Sequence, residues 1–508
     1  MSRINTNPSS LIAQRNLAAN NKTLNTTLER LSTGLRINRG KDDPAGLIAS
    51  ENLRAEKSGL TAAITNADRA DQIVNIAEGG LQELSTLLTD LRSLVTTSAN
   101  SAGLSTEEKQ ANQLQADSIL QTIDRLGDST NFQGTKLLNG NFDFTTTSVA
   151  AGVTDFKINA AKLAKGSSVA VQALVTKSAQ NGVLFLSTGA TVNLGGGANG
   201  LFTFEVAGAT GSRELSFASG TTRANIVAAI NTYKDVTGVS ATTFTSGAVT
   251  SIKLNSTEYG SDNFVSVKVV NDAGITGAGT GIYKQLSATN AVSPDASTVV
   301  AYTAATNGVR DLGQDVAATI NGVAATAKGR NIRVNTDFLD VEITLKATSA
   351  TALGAVAAFT ITGGGASFQL GSKVDIGAKV ALGIQDVAAR KLGNSDVGFL
   401  SSLSSGKTFN LVNGDLDKAS KVVDESIRQI SGLRGRLGAF QKNTIGSTVR
   451  NLNISLENTT AAESTIRDAD FASETANLTR AQILSQAAQN SLSLANSAPQ
   501  SALALLRG

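Results

Sequence analysis

The residue types that most often do chemistry are missing from this sequence of 508 residues: it has no His and no Cys. Without imidazole or thiolate ligands the usual zinc, iron and copper sites cannot be built. Neither Cys–His nor Ser–His–Asp nucleophilic catalysis can run. Carboxylate chemistry and phosphate binding remain. Gly406-Lys407-Thr408 has the look of the end of a phosphate-binding loop, but the position of its leading Gly is taken by Ser401, so the pattern fails. Gly195-Gly196-Gly197 and Gly277-Ala278-Gly279-Thr280-Gly281 do not join a strand to a helix at the required spacing and read as loops between strands. Asp42-Asp43 and the pair Asp468 and Asp470 stand beside helix breaks. Helix capping and complementarity to the helix dipole account for them better than acid–base catalysis. Arg434 and Arg436 have no interleaved aromatic residues, which nucleic-acid binding would want; a solvated or subunit-bridging role fits them. The residues therefore point to no catalytic group, no cofactor and no metal.

Composition sets further bounds. The chain is 41% hydrophobic, enough for a sizeable core, but only 4% aromatic. Its length allows roughly three or four domains. Forty-four basic and 41 acidic residues leave a net charge of +3, which exerts no general pull toward nucleic acid or an anionic membrane. No apolar run is long enough to span a bilayer. The first residues, Met1-Ser2-Arg3-Ile4-Asn5-Thr6-Asn7-Pro8, lack the apolar core of a secretory signal. The expectation is a cytosolic protein, or one that leaves the cell without a cleaved signal.

The elements divide into three zones. Residues 1–140 and 407–508 carry apolar residues at helical spacing, whereas 141–406 are rich in Gly, Thr, Val and Ala and alternate like strands. Leu17, Leu24, Leu28, Leu31 and Leu35 make a first heptad-like stripe. After a break at Gly40–Gly46, a second helix is predicted over 53–98, with Gly79-Gly80 as a weak spot worth about 1 kcal/mol per Gly. A third starts at the capping box Ser105–Glu108 and stops near Gly127. Toward the other end, Leu416 to Leu437 and Val449 to Ile466 form seams, and Leu478, Ala481, Ala488, Leu492 and Ala495 form a last stripe of small residues. The long helices are expected to contain none of the four Pro. So narrow a stripe must face another helix, within the chain or in a neighbour. Segments as polar as 1–40 and 471–508 are marginal alone and should order on packing. In the middle, Val341, Ile343 and Leu345 alternate with polar residues, as do Phe202, Phe204 and Val206. A short helix is predicted at 222–234 with Ile226, Val227 and Ile230 inward. The fold class is α+β: terminal helices pairing into a coiled-coil bundle around a β-rich insert of one or more modules, with submodules expected near 195–275 and 315–346.

Several motifs are similar to those of bacterial flagellins. Glu29-Arg30-Leu31-Ser32-Thr33-Gly34-Leu35-Arg36-Ile37-Asn38 followed by Lys41-Asp42-Asp43-Pro44-Ala45-Gly46 resembles the family's N-terminal signature. Ser98-Ala99-Asn100-Ser101 and Asn131–Leu138 also match, the latter a hairpin in the family. Arg434-Gly435-Arg436-Leu437-Gly438-Ala439-Phe440-Gln441 resembles its turn-and-helix motif, and Ala498 to Arg507 its C-terminus. Within the insert, Thr319-Ile320-Asn321-Gly322-Val323 resembles a small repeat of flagellins and hook-associated proteins, and 201–270 a fuller version of it. Ser367–Gly371 resembles the segment that returns the chain to its helices. Pro44 replaces the Ala of many members and also occurs in the hook–filament junction paralogue.

The resemblance implies a subunit that polymerises into the flagellar filament and serves motility. The alternatives are the junction protein, or a filament subunit whose Ser/Thr-rich insert is adhesive or glycan-bearing. It implies an extracellular location, reached through the flagellar type III apparatus without a cleaved signal. The implied partners are other copies of the chain, the filament cap, hook-associated proteins, and an export chaperone on the C-terminal helix; nucleic acid and membrane are not among them. Residues 1–40 and 470–508 would form the inner core. Residues 41–140 and 407–469 would form a helical rod with a hairpin near 131–140, and 141–406 the outer insert. Leu17, Leu24, Leu28, Leu31, Leu35, Leu478, Ala481, Ala488, Leu492, Leu505 and Leu506 would pack subunits together. Many members carry Gln-Arg-Val-Arg-Glu-Leu in the long helix, part of a surface read by an innate-immune receptor. Thr89–Leu94 keeps only Arg92 and Leu94 of it.

Overall fold

The computed structural model describes residues 6–100, 103–164, 166–188, 191–192, 200–246, 249–275, 279–285 and 294–507. The side chains of 246, 249, 250, 296 and 499–507 lie outside that description. So do the expected loops at Gly195–Gly197 and Gly277-Ala278, Ser101, and the Leu505 and Leu506 side chains.

In chain order the helical first part is α1 (Pro8–Thr33), α2 (Pro44–Ser98), α3 (Thr106–Ser129) and a hairpin of β1 (Asn131–Phe132) and β2 (Thr135–Lys136). Then come β3 (Phe144–Thr147), β4 (Val153–Ala161), β5 (Val169–Lys177), β6 (Val183–Ser187), β7 (Phe202–Gly208), β8 (Ser212–Phe217), α4 (Arg223–Thr232), α5 (Lys234–Thr237), β9 (Val239–Ser246), β10 (Val249–Ser256), β11 (Phe264–Asn271), β12 (Gly281–Lys284) and β13 (Val309–Leu312). These are followed by β14 (Ala317–Ile320), β15 (Val323–Ala324), β16 (Thr326–Lys328), β17 (Asn331–Asn335), β18 (Leu339–Leu345), α6 (Ala347–Thr351), β19 (Gly354–Gly364), β20 (Ala366–Gln369), β21 (Lys379–Leu382), β22 (Gly393–Asn394) and β23 (Gly398–Phe399). The return is α7 (Leu416–Ala439), a π-helical turn (Phe440–Ile445), α8 (Gly446–Arg467) and α9 (Phe471–Arg507).

The chain forms two compact units: Met1–Gln72, Phe368–Lys379 and Ala439–Gly508 in one, Ile73–Ser367 and Val380–Gly438 in the other. In the first, α1 pairs with α9, and residues 60–64 of α2 pack Leu60, Ala63 and Ile64 on Leu452 and Leu456 of α8. Lys57–Glu463 at 2.8 Å and Arg467–Glu51 at 3.1 Å lie along the same two helices, both to one side of that contact. α2 starts earlier than position 53 because Asp43 caps it: its Oδ1 accepts from Gly46 N–H at 2.8 Å, and Pro44 suits the first helical position. The Asp42 carboxylate accepts from the N–H of Asn38 and Arg39; the Arg39 bond leads in holding it below the usual carboxylate range. Asp470 accepts from Ala472 N–H at 2.9 Å at the start of α9. The acidic pairs are thus turn and cap residues.

In the second unit, Val74, Ala77, Leu81, Leu84, Leu88, Leu91 and Val95 of α2 are buried at alternating steps of three and four. They are joined by buried residues of α3 (Ala116, Leu120, Ile123) and α7 (Val423, Ile430, Leu433, Leu437). α3 begins with the expected capping box and runs past Gly127 to Ser129. Arg434–Gln441 contains no turn. The burial period holds through Ile430, Leu433 and Leu437, and the residues from Arg434 to Ala439 are helical. The segment leading back to α7 is tied to α3 by one buried amide: Gln113 Nε2 donates to Leu403 O and its Oε1 accepts from Leu411 N–H. Gly406 has φ +75° and Lys407 lies in a turn before α7, not at a strand-to-helix phosphate cradle.

Two β cores complete this unit. Sheets β12-β6-β10-β9 and β13-β11-β7-β8 enclose one core with α4, where Ile226 and Ile230 are buried and Val227 is half-buried. Sheets β15-β14-β5-β19-β3 and β16-β17-β18-β4 enclose the other. All neighbours in these sheets are antiparallel. The modules are wider than the sequence-based ranges. Strands near 201–271 need β6, β12 and β13, and strands 317–345 need β3 to β5 and β19, because a few hairpins alone bury too little apolar surface. Asn321 and Gly322 supply the two positive φ angles, 49° and 82°, of the β14–β15 turn.

Candidate assembly interface

The stripe on α1 works because its members return to one face every three or four residues. Ser10, Ala13, Leu17, Asn20, Leu24, Thr27 and Leu31 are buried or half-buried. On α9 the matching series is Glu474, Leu478, Ala481, Ser485, Ala488, Leu492 and Ala495. The helices are antiparallel: Arg30 Nη1 meets Glu474 Oε1 at 3.2 Å, Asn20 Nδ2 donates to Leu484 O at 3.1 Å, and Ser10 Oγ donates to Asn496 Oδ1 at 2.6 Å. So the seam is half polar. Small residues let the backbones approach, and hydrogen bonds fix the register.

At one end a single side chain does two jobs. Asn7 Oδ1 caps α1 by accepting from Ser10 N–H at 3.1 Å, while its Nδ2 donates to Ala495 O at 2.8 Å. Contrary to the expectation that the long helices lack proline, α9 runs through Pro499. Proline has no N–H, so the carbonyl four residues earlier loses its helical donor. That carbonyl is Ala495 O. The amide of Asn7 donates to that carbonyl in its place.

Of the residues expected to pack subunits, Leu17, Leu24, Leu31, Leu478, Ala481, Ala488 and Leu492 lie in this seam between two helices of one chain. Leu35 follows the left-handed Gly34 and bridges to Asp468. Leu28 points out and is 45% exposed. Other apolar residues, which the heptad reading passed over, share that outward exposure: Leu11 and Ile12 on α1, and Ile483, Leu484 and Leu494 on α9. They interrupt the polar face of each helix, and that interruption was the available signal. Arg92 pairs with Asp424 at 3.1 Å and stays exposed; Leu94 is half-buried. Arg434 Nε pairs with Glu78 at 2.8 Å, and Arg436 donates to Gly383 O, so this pair is spent inside the chain. Burial pushes the Arg436 guanidinium down from its ordinary value. Among the described residues no group of three acidic side chains could hold a metal ion, and no helix is long and apolar enough to cross a membrane.

Two antiparallel terminal helices with apolar side chains left exposed outside their seam suit a subunit that finishes its packing against copies of itself. The sequence comparisons decide which family. The bacterial flagellin N-terminal helical region matches residues 4–143 and the C-terminal helical region residues 420–506. The B-type flagellin of Pseudomonas aeruginosa is 32% identical over 544 residues, covering 99% of both chains. This chain belongs to the flagellin family. A flagellin of Salmonella choleraesuis is 30% identical over 546 residues, again 99% of both. Against the solved structure of FliC from Burkholderia pseudomallei the chain aligns over 73% of its length at 14% identity with a TM-score of 0.23, so the family rests on the sequences. This flagellin is a structural subunit of the bacterial flagellar filament, outside the cell.

Proposed function

We propose that this flagellin polymerises through the outward faces of its terminal helices, not through the heptad seam. The observation that carries the proposal is the exposure of Leu11 and Ile12 on α1 and of Ile483 and Leu494 on α9, at 64%, 51%, 63% and 73%. Burying such a side chain against a neighbour stabilises by about 1.5–3 kcal/mol. The seam residues Leu17, Leu24, Leu31, Leu478, Ala481, Ala488 and Leu492 hold the subunit's own hairpin of helices in register, and Leu28 belongs with the outward set. Residues 1–40 and 470–508 form the inner layer, 41–140 and 407–469 the rod, and 141–406 the outward insert. Contacts between copies are heterologous and open, as a helical polymer requires. The chain leaves the cell through the flagellar type III apparatus, with a chaperone on α9 until export. The filament cap and hook-associated proteins bound the polymer at its ends. No step in this role needs catalysis.

Ile483→Asp tests the assignment. The side chain lies outside the seam, so the subunit should fold and melt as wild type. Polymerisation seeded with sheared filaments should fall at least tenfold, read by sedimentation and electron microscopy. Filaments of normal length at wild-type protein concentration would refute the outward-face reading.

A further inference from the structure

The sheet β15-β14-β5-β19-β3 turns one face to the core and leaves the other bare. On the bare face Leu174 of β5 has Thr319 on one side and Ala355 on the other, Gln172 lies opposite Ala357, and Ala170 lines up with Thr360 and Thr147. Thr319 and Thr360 are half-buried and the rest are exposed. None of these side chains is charged. Lys177 ends β5, but on the opposite parity. The solvated face of an antiparallel sheet normally carries polar groups in alternation with the core. The other sheet of the same module follows that rule: Arg333, Glu342 and Lys157 sit side by side across β17, β18 and β4. That charged face lies toward α7, since Lys157, Asn331 and Glu342 line one cavity together with Glu425 and Arg428 of that helix. The uncharged face is therefore the side of the module turned away from α7.

We infer that this uncharged face packs against a second copy of the chain in the filament. The inference rests on the filament reading above. Small, uncharged side chains cost little to desolvate and let another surface come close. Leu174, with the exposed Leu353 just before β19, supplies the apolar anchor. The area decides what kind of contact this is. About five strands at ~4.8 Å spacing and ~20 Å of strand length give on the order of 400 Å², against about 800 Å² per partner in a stable complex. Too small to pair free subunits, the face suffices once the helical ends already hold neighbours at high effective concentration.

The absence of native cysteine makes the test direct. Ala357→Cys on this face and Ser212→Cys on the exposed β8 are labelled with a maleimide, first as free subunits and then as filaments grown from the purified protein alone. Ala357→Cys should react at least tenfold more slowly in filaments than in free subunits, and Ser212→Cys within twofold in both. Adding Leu174→Asp should restore most of the Ala357→Cys rate in filaments without changing the subunit's melting. Equal rates for Ala357→Cys in the two states would overturn the inference. So would protection already present in the free subunit, which would mean that a group attached to the chain itself covers the face. Failure of wild-type protein to polymerise would instead count against the filament reading, so the two failures are told apart.

Discussion

Replacing Asn7 should weaken the filament by an amount that depends on residue 499, at the opposite end of the sequence. Asn7→Ser keeps an oxygen that can cap α1, since Ser and Asn are comparable caps. It removes the amide that reaches Ala495 O at 2.8 Å. A neutral, partly buried hydrogen bond is worth about 1 kcal/mol net. The proposed subunit orders its ends on assembly, so the loss appears in the polymer. At about 1.4 kcal/mol per tenfold, the critical concentration should rise about fivefold. Asn7→Ala removes the cap as well, about 1 kcal/mol more, and should raise it about thirtyfold. In a Pro499→Ala background the chain itself provides the N–H for Ala495 O. There Asn7→Ser should cost less than about twofold. The assay is sedimentation of seeded polymer across a concentration series, run on the wild type, Asn7→Ser, Pro499→Ala and the double variant. An Asn7→Ser cost equal in both backgrounds would refute the link between Asn7 and the proline.

Two further outcomes follow from the second unit. Gly79 and Gly80 are neighbours in α2, yet a Cβ on Gly79 meets nothing within 4 Å, whereas one on Gly80 would lie 2.8 Å from Thr130 Oγ1 and 2.9 Å from Leu138 Cδ1. Gly79→Ala should stabilise by up to about 1 kcal/mol, and Gly80→Ala should destabilise by about 1–3 kcal/mol through overpacking; urea melts of the two variants moving the same way would contradict this. Burial pushes the Asp155 carboxyl above its ordinary 3.8, so the folded chain holds a proton that the unfolded chain has released. Stability from this group therefore falls as pH rises from about 3.8 through the raised value, and Asp155→Asn should flatten that decline in urea melts run across the acid range. Parallel slopes for the two proteins would rule that out.

Much of the helical part was legible in the sequence. The heptad steps at both ends, the capping box at Ser105 and the acidic caps beside the helix breaks are local signals, and local chemistry fixes them. The family motifs lie in the same zones. The absence of His and Cys excluded thiol and imidazole chemistry outright. Period-two alternation marked Val341 to Leu345 and Phe202 to Val206 as strands, but not their partners. Submodule ranges drawn from local pattern came out narrow because the sheets join strands far apart, such as β5 with β14 and β19.

The tertiary structure decided what each face meets. Periodicity says that Leu17, Leu24 and Leu31 share a side of α1; it does not say whether that side faces α9 of the same chain or another subunit. Only the antiparallel pairing of α1 with α9 put them inside and left Leu11, Ile12 and Leu28 outside. The same holds for Gly79 and Gly80, identical in sequence terms and opposite in surroundings, and for Arg434, whose partner Glu78 is distant along the chain. Pro499 is the sharpest case. By sequence it ends a helix; in the fold the helix continues through it, and a residue from the opposite terminus donates to the carbonyl that proline leaves without its helical donor. Side-chain type and spacing are properties of a segment, whereas burial and hydrogen-bond satisfaction belong to pairs of segments, and only the fold determines the pairs.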